Sequence, residues 1–544
     1  MHPELDQSSV NTDADEEVSS SPLPPQSSVL WTRHRQTALF GVVALIIAFS
    51  VVYGFVSAPG YTDVFYHFNA AERLVTGQGL TDAYLWTYIG APDTLPAPSH
   101  LYWMPLTSII AAFGMWITQN TTYAAAQLPF ALMLAATGII GFRLGWRITG
   151  KRRGAALTAW IAGLLTLLSG FFTRYWGAID TFAPYALIGA AAIYVMGSAL
   201  TTRQARELWM VAGALAAFAH LTRADGVLLL GVGVVIALWR MIERRRALHR
   251  RVVYLFLMLL LYLLVMSPWF LRNQFEVGSP LPLGGSQAIW FSSYDDLFNY
   301  PPDASPDTLG LEGFINSRRE AFVNNAATFI AVEGLIAMTP FMLIGLWRRR
   351  KDPFLRPFWL YALLLHAVMT FVFPYPGYRG GLFHSAAALI PFWAALGVVG
   401  IDDAVKWIAS RRRTWQPETA KRVFSGALLL LALILSLQTG LAGRVTGGTP
   451  PLYTELNAVL PPDAVVMIND PAALYHYTGL GGVVIPNEDI EAIRTVARKY
   501  HVDYLLLESG GMPAGIAPLF DTPSPYLLPL PISDPNVRLY AITP

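Results

Sequence analysis

Residues 100–120 read HLYWMPLTSIIAAFGMWITQN, and whether this stretch crosses a membrane decides the reading of the whole chain. It is apolar enough to be a span. It also contains Pro105, ends in polar Thr118-Gln119-Asn120 and is short for a segment that must cross a hydrocarbon layer. Eleven other apolar blocks surround it, near 37–56, 123–147, 154–172, 181–200, 208–222, 226–242, 252–271, 324–347, 354–373, 382–401 and 423–441.

Positive charges settle the choice, because short loops rich in Lys and Arg stay cytoplasmic. Clusters stand at Lys151-Arg152-Arg153, Arg203/Arg206, Arg244-Arg245-Arg246 with Arg250-Arg251, Arg348-Arg349-Arg350-Lys351 and Arg411-Arg412-Arg413. If 101–118 spans, all five land outside. If it does not, all five lie inside with Arg33 and Arg35, leaving Arg73, Arg174, Arg223, Arg272, Arg318, Arg319 and Arg379 outside. The second arrangement is chosen: about eleven spans, with 101–118 an interfacial or re-entrant helix on the outer face.

Composition agrees. Of 544 residues 54% are hydrophobic and 14% charged, against about 25% charged in a soluble domain. The net charge of +2 gives no argument for nucleic acid. Having no cysteine, the chain makes no disulfide, thiolate metal site or cysteine nucleophile. Residues 1–34 are expected to be a disordered cytoplasmic tail, and 37–56 an uncleaved first helix. The region 35–443 is the membrane part, with 57–122 as its first outer loop. Residues 444–544 are expected to form a small extracytoplasmic α/β domain. Val465 to Ile468 and Tyr504 to Leu507 read as buried strands, with an amphipathic helix from Glu488 to Tyr500 between them. Gly479, Gly481 and Gly482 form no phosphate-binding loop.

The ionisable residues at the outer helix ends are the candidates for chemistry. Asp63 follows the first span in Gly60-Tyr61-Thr62-Asp63-Val64-Phe65-Tyr66-His67, ahead of a helix begun near Asn69 and ended by Gly77 and Gly79. Asp180 stands where the chain re-enters the membrane, after Tyr175 and Trp176. Each aspartate could simply cap a helix. Together, on one face, they can hold a divalent cation, or one can accept a proton while the other orients. Tyr175 and Trp176 are candidates for stacking on a sugar ring, with interfacial anchoring as the plainer alternative. His67, His100 and Trp103 join the candidates from the first loop, with His100 able to meet a phosphate or a hydroxyl. Arg223, Arg272 and Arg379, the last near His384, could each pair with an anion through the planar guanidinium fork. For Arg223 the simpler reading is a pair with Asp225. No Ser-His-Asp arrangement, HExxH, Walker or Rossmann motif is present.

An acidic residue after the first span, a loop helix, an aromatic-Pro-Leu segment and a second aspartate heading a later span resemble the GT-C glycosyltransferases. That family includes protein O-mannosyltransferases and the aminoarabinose transferase that modifies lipid A. The stretch Thr222 to Gly226 and the region from Pro268-Trp269 to Pro280 are similar to segments of these proteins. The resemblance covers roughly residues 37 to 400. It implies a catalytic role for Asp63, a second acidic position at Asp180, a polyprenyl-phosphate-sugar donor, and a glycan, lipid or protein acceptor outside the cytoplasmic membrane. His100 stands where relatives usually have Lys. The Asp-x-x-Tyr-His form of the first-loop motif is closer to the oligosaccharyltransferase catalytic subunit, which uses a metal. Two other classes fit a polytopic chain: a transporter or flippase of lipid-linked saccharides, and a non-catalytic assembly protein working through its C-terminal domain. The first would call for intramembrane ionisable residues or repeats. Only Glu333 stands out within an apolar block, and no repeat is evident.

Overall fold

A computed structural model of the chain describes residues 26–543, except 91, 151–153, 203–204, 244–247, 282–283, 294, 304, 413, 511 and 523. The basic residues Lys151 to Arg153, Arg203, Arg244 to Arg246 and Arg413 lie outside the described residues, as does the tail up to residue 25. The first helix, α1, runs Gln26–Phe55, so the last part of the expected tail is helical.

Among the described residues, eight helices are long and apolar enough to cross a membrane. They include α1, α4 (Tyr123–Thr149), α6 (Phe182–Thr201) and α9 (Leu248–Val277). The chain is a multi-pass membrane protein. Three further blocks expected to span are α5 (Ala155–Leu167), α7 (Ala205–Thr222) and the region 324–347, and each departs from a regular apolar helix of spanning length. The third departs most. The helix Pro306–Ala327 passes into a π-helical turn at Thr328–Glu333 and breaks before the helix Thr339–Arg349. At the break Leu335 and Ile336 take positive φ, a conformation costly for a branched side chain.

The stretch quoted first forms α3, Leu106–Thr118. Thirteen residues make a helix about 20 Å long, short of the roughly 30 Å hydrocarbon core. Ile109, Phe113, Trp116 and Ile117 point outward, while Thr107, Ser108, Ala111, Ala112 and Met115 face the protein. Gly114 lets α3 lie on α4, since a Cβ there would stand 2.5 Å from the Ala125 carbonyl oxygen.

The C-terminal residues carry most of a six-stranded sheet in the order β2-β5-β4-β6-β8-β7. Here β4 is Val465–Ile468, β5 Gly481–Val484, β6 Tyr504–Glu508, β7 Leu527–Leu530 and β8 Val537–Ile542. The two expected strands and the expected helix, here Ile490–Tyr500, are present. Gly481 and Gly482 begin β5. The boundary at 444 does not enclose the sheet. Its edge strand β2, Tyr84–Leu85, comes from the loop after the first span and pairs in parallel with Gly482 and Val483. That loop also carries the short hairpin of β1 (Thr81–Asp82) and β3 (Ala97–Pro98).

Candidate active site

The first loop begins clamped. Ser57 donates its amide to the Val445 carbonyl, and Val445 donates back to Phe55, so the exit of the first span is tied to the exit of the last. After an extended Tyr61 the helix α2, Thr62–Val75, starts earlier than the sequence suggests. Asp63 therefore lies within its first turn rather than ahead of it, where free amides and the helix dipole favour an anion.

Asp180, 1% exposed, precedes α6. Its Oδ2 accepts the Tyr61 hydroxyl at 2.7 Å and its Oδ1 accepts the Thr181 amide. The Nδ1 atom of His384 is 3.6 Å from the same Oδ1 and 2.8 Å from the Thr181 hydroxyl. Asp63, Asp180 and His384 each bring one ligand-capable atom within 4.8 Å of the others. Burial and the Asp180 charge push the Asp63 carboxyl up to about 8. Burial pushes Asp180 up as well, but the His384 and His67 rings and the two hydrogen bonds outweigh it and hold its carboxyl below the usual range. The pair thus divides into one proton-accepting carboxyl and one fixed carboxylate.

Arg223 does pair with Asp225, at 2.9 Å, and it also reaches toward the site. It donates to Ser385 Oγ at 2.9 Å and to the Thr181 hydroxyl at 3.3 Å, while Ser385 donates to Asp225. Thr181 therefore sits between Arg223 and His384, one residue from Asp180.

A second polar group lies behind α2. Ser108 on α3 meets His67 Nδ1 at 2.9 Å and His100 Nε2 at 3.0 Å, and His100 Nδ1 meets Ser99. Tyr66 donates to Asp82 and accepts the His100 amide. His100 is fully buried, and both of its ring nitrogens are engaged by serine hydroxyls of the protein itself, in place of the expected phosphate or substrate hydroxyl. His67 is also fully buried, but among the described residues its Nε2 has no hydrogen-bond partner. Burial drives the His67 ring down to about 4, which keeps it neutral, and raises the Asp82 carboxyl to about 7. Trp103 stacks on Trp86, with ring centroids 3.8 Å apart.

The remaining candidates part company. Trp176 is fully buried, stacked on Phe172 and bonded to Ser169, so the sugar-platform reading is corrected to a packing role. Tyr175 stays half-buried beside Tyr61 and Phe182. Arg272 belongs to the second group: it donates to the Leu80 carbonyl and lies over Trp269. Arg379 is exposed, next to Gly380, whose backbone passes close to the His384 ring. Residues not singled out in sequence also meet here: Tyr61, Thr181, Ser385, Asp82, Ser108 and Asp470. Tyr61 and Thr181 stand beside the two aspartates, and adjacency was the available signal. Asp470 had none. It caps the helix Pro471–Thr478 and accepts from Thr62, one residue before Asp63, at 2.9 Å. Along that contact Asn69 donates to the Ala472 carbonyl and Arg73 to the Tyr475 hydroxyl.

No family model matches the sequence, and a search of curated proteins finds no match. Solved structures do resemble it. ArnT from Cupriavidus metallidurans bound to undecaprenyl phosphate aligns with a TM-score of 0.52 and 14% identity, over 93% of this chain and 97% of that one. The oligosaccharyltransferase of Archaeoglobus fulgidus in complex with Zn and sulfate aligns at 0.57 and 13%, over 93% and 73%. This chain has the GT-C fold. The arabinofuranosyltransferase AftD from Mycobacteria aligns at 0.51 and 15%, over 94% of this chain and 42% of that one. Within this fold Asp63 lies in the first turn of the helix after the first span, and Asp180 stands just before α6.

Proposed function

We propose that this GT-C chain is a membrane glycosyltransferase that moves a sugar from a polyprenyl-phosphate carrier to an acceptor hydroxyl outside the cytoplasmic membrane. The N-terminus is then cytoplasmic and the sheet domain extracytoplasmic. The observation carrying this reading is the convergence of Asp63, Asp180 and His384 at helix ends, with Arg223 one hydroxyl away. The lipid bound to ArnT supports the donor class.

Asp63 takes the acceptor proton as the acceptor oxygen attacks the anomeric carbon. The bond to the carrier phosphate breaks on the opposite face, so the anomeric centre inverts. Asp180 stays ionised and orients the acceptor hydroxyl. Arg223 stabilises the departing phosphate, its charge only partly taken up by Asp225. Arg379, which is exposed, can guide an anionic donor, and Arg272, held by the Leu80 carbonyl and Trp269, adds positive charge behind α2. The acceptor is a glycan, lipid or protein; the sheet packed on α2 is the surface that can hold it.

Two carboxylates and an imidazole form a donor set suited to a divalent cation, and their ligand-capable atoms lie within 4.8 Å of one another. A cation held by Asp63, Asp180 and His384 would supply positive charge beside the departing phosphate. The Zn in the oligosaccharyltransferase structure supports testing one.

The test is release of free polyprenyl phosphate from a panel of polyprenyl-phosphate sugars in proteoliposomes. The wild type should release it from at least one donor when an acceptor extract is present. Movement of intact donor across the bilayer without cleavage would favour a flippase instead.

A further inference from the structure

A cavity at the other end of the bundle is unused by this chemistry. It encloses about 1190 Å³, above the usual roughly 300–1,000 Å³ of small-molecule sites. Its walls are apolar, built on Trp359, Leu363 and Trp393. Trp347 and Trp407 also line it, and both are largely exposed, as indole rings that meet a membrane interface are. Arg348 and Arg350 line its mouth. Among the described residues the one acidic lining residue, Asp403, is neutralised by Arg349 at 2.5 Å. Toward its interior lies His366, whose ring is held by Glu333 at 2.9 Å and the Ala362 carbonyl at 2.8 Å. Glu333, 1% exposed beside the helix break, also accepts from Trp393.

The site around Asp180 is far away. It lies at the start of α6, whose 20 residues measure about 30 Å. The last turns of α6 pack on Phe354, four residues beyond Arg350, and Arg147 lies over the same ring.

We infer that this cavity binds one anionic phospholipid of the leaflet that borders the arginine-rich face. Its phosphate meets Arg348 and Arg350, and an acyl chain lies along Trp359, Leu363 and Trp393 toward His366. Charge complementarity selects the headgroup, since both mouth residues are cationic and the lining carboxylate is already paired. Leu363, 64% exposed, and Trp347 leave the flank open to the hydrocarbon, so a chain enters sideways. A polyprenyl-phosphate donor fits less well, because its phosphate would sit about 30 Å from Asp63.

Native mass spectrometry of the delipidated full-length protein tests this, with phosphatidylglycerol, phosphatidylcholine and a polyprenyl monophosphate as probes. One phosphatidylglycerol should be retained about tenfold more strongly than phosphatidylcholine. The double variant Arg348→Gln/Arg350→Gln should remove that preference, whereas Arg250→Gln/Arg422→Gln should keep it. Leu363→Trp, which fills the chain path from the membrane side, should weaken both phospholipids. Melting curves without lipid verify that each variant is folded. Equal retention of the two phospholipids, a preference insensitive to Arg348 and Arg350, or stronger retention of polyprenyl phosphate overturns the proposal.

Discussion

The hydroxyl of Tyr61 donates to Oδ2 of Asp180 at 2.7 Å, joining the residue before the first-loop helix to the turn before α6. The bond fixes one carboxylate relative to the other, since Asp63 is two residues from Tyr61. Tyr61→Phe removes one charge-assisted hydrogen bond and leaves the fold's apolar contacts intact. Turnover should fall about ten- to hundredfold, the equivalent of about 1.5–3 kcal/mol, with unchanged membrane abundance.

The raised Asp63 carboxyl has a kinetic consequence. A general base works as the carboxylate, so the active fraction grows as pH climbs toward about 8 and levels off above it. Transfer assayed with a chelator should follow that limb. Asp180→Asn removes the like charge, so the midpoint of any remaining activity should move to lower pH. A midpoint unchanged by Asp180→Asn would show that the two groups do not interact.

Asp82 gives a stability prediction independent of catalysis. Burial raises its carboxyl to about 7, so the folded protein holds a proton that the unfolded chain releases near 4. The stabilisation is complete below about 4 and is lost as pH rises through about 7, at roughly 1.4 kcal/mol per unit of difference. Asp82→Asn keeps an acceptor for Tyr66. The melting temperature of the variant in detergent should fall less between pH 5 and pH 8 than that of the wild type.

The sheet domain is built into the site rather than appended to it. Ending the chain at 444 would leave β2 unpaired and uncover Phe65 and Phe68, whose rings pack on His476. The truncated protein should lose both abundance and transfer. Arg73→Ala, which removes the contacts to Tyr475 and Thr81, should lower the melting temperature and speed proteolysis of the sheet domain.

Sidedness is directly testable because the chain lacks cysteine. Gln78→Cys and Lys351→Cys, both at exposed positions, should label from opposite sides of the membrane. Labelling from one side would undo the placement of 101–118 on the outer face.

Much of this architecture is legible in sequence because lipid imposes a length and a charge rule on every span. α3 is the clearest case of a boundary read from sequence: Pro105 and the polar Thr118 to Asn120 bracket a short helix, and the helix runs Leu106–Thr118. β4, β6 and the helix between them follow from apolar runs and period. What sequence hides is long-range pairing. Nothing local in Tyr84-Leu85 says that it will join a strand nearly 400 residues away, or that Asp470 will reach Thr62. The break after Glu333 is equally silent, because the block remains apolar through it. Trp176 and His100 show a different limit: residue type suggests a ligand contact, and burial decides against it.

The most direct measurement compares wild type with Asp63→Asn in proteoliposomes, following polyprenyl-phosphate release and acceptor glycosylation together. The account predicts that Asp63→Asn, present at wild-type abundance and melting temperature, transfers no detectable sugar. Transfer at the wild-type rate would contradict it and remove Asp63 from the chemistry.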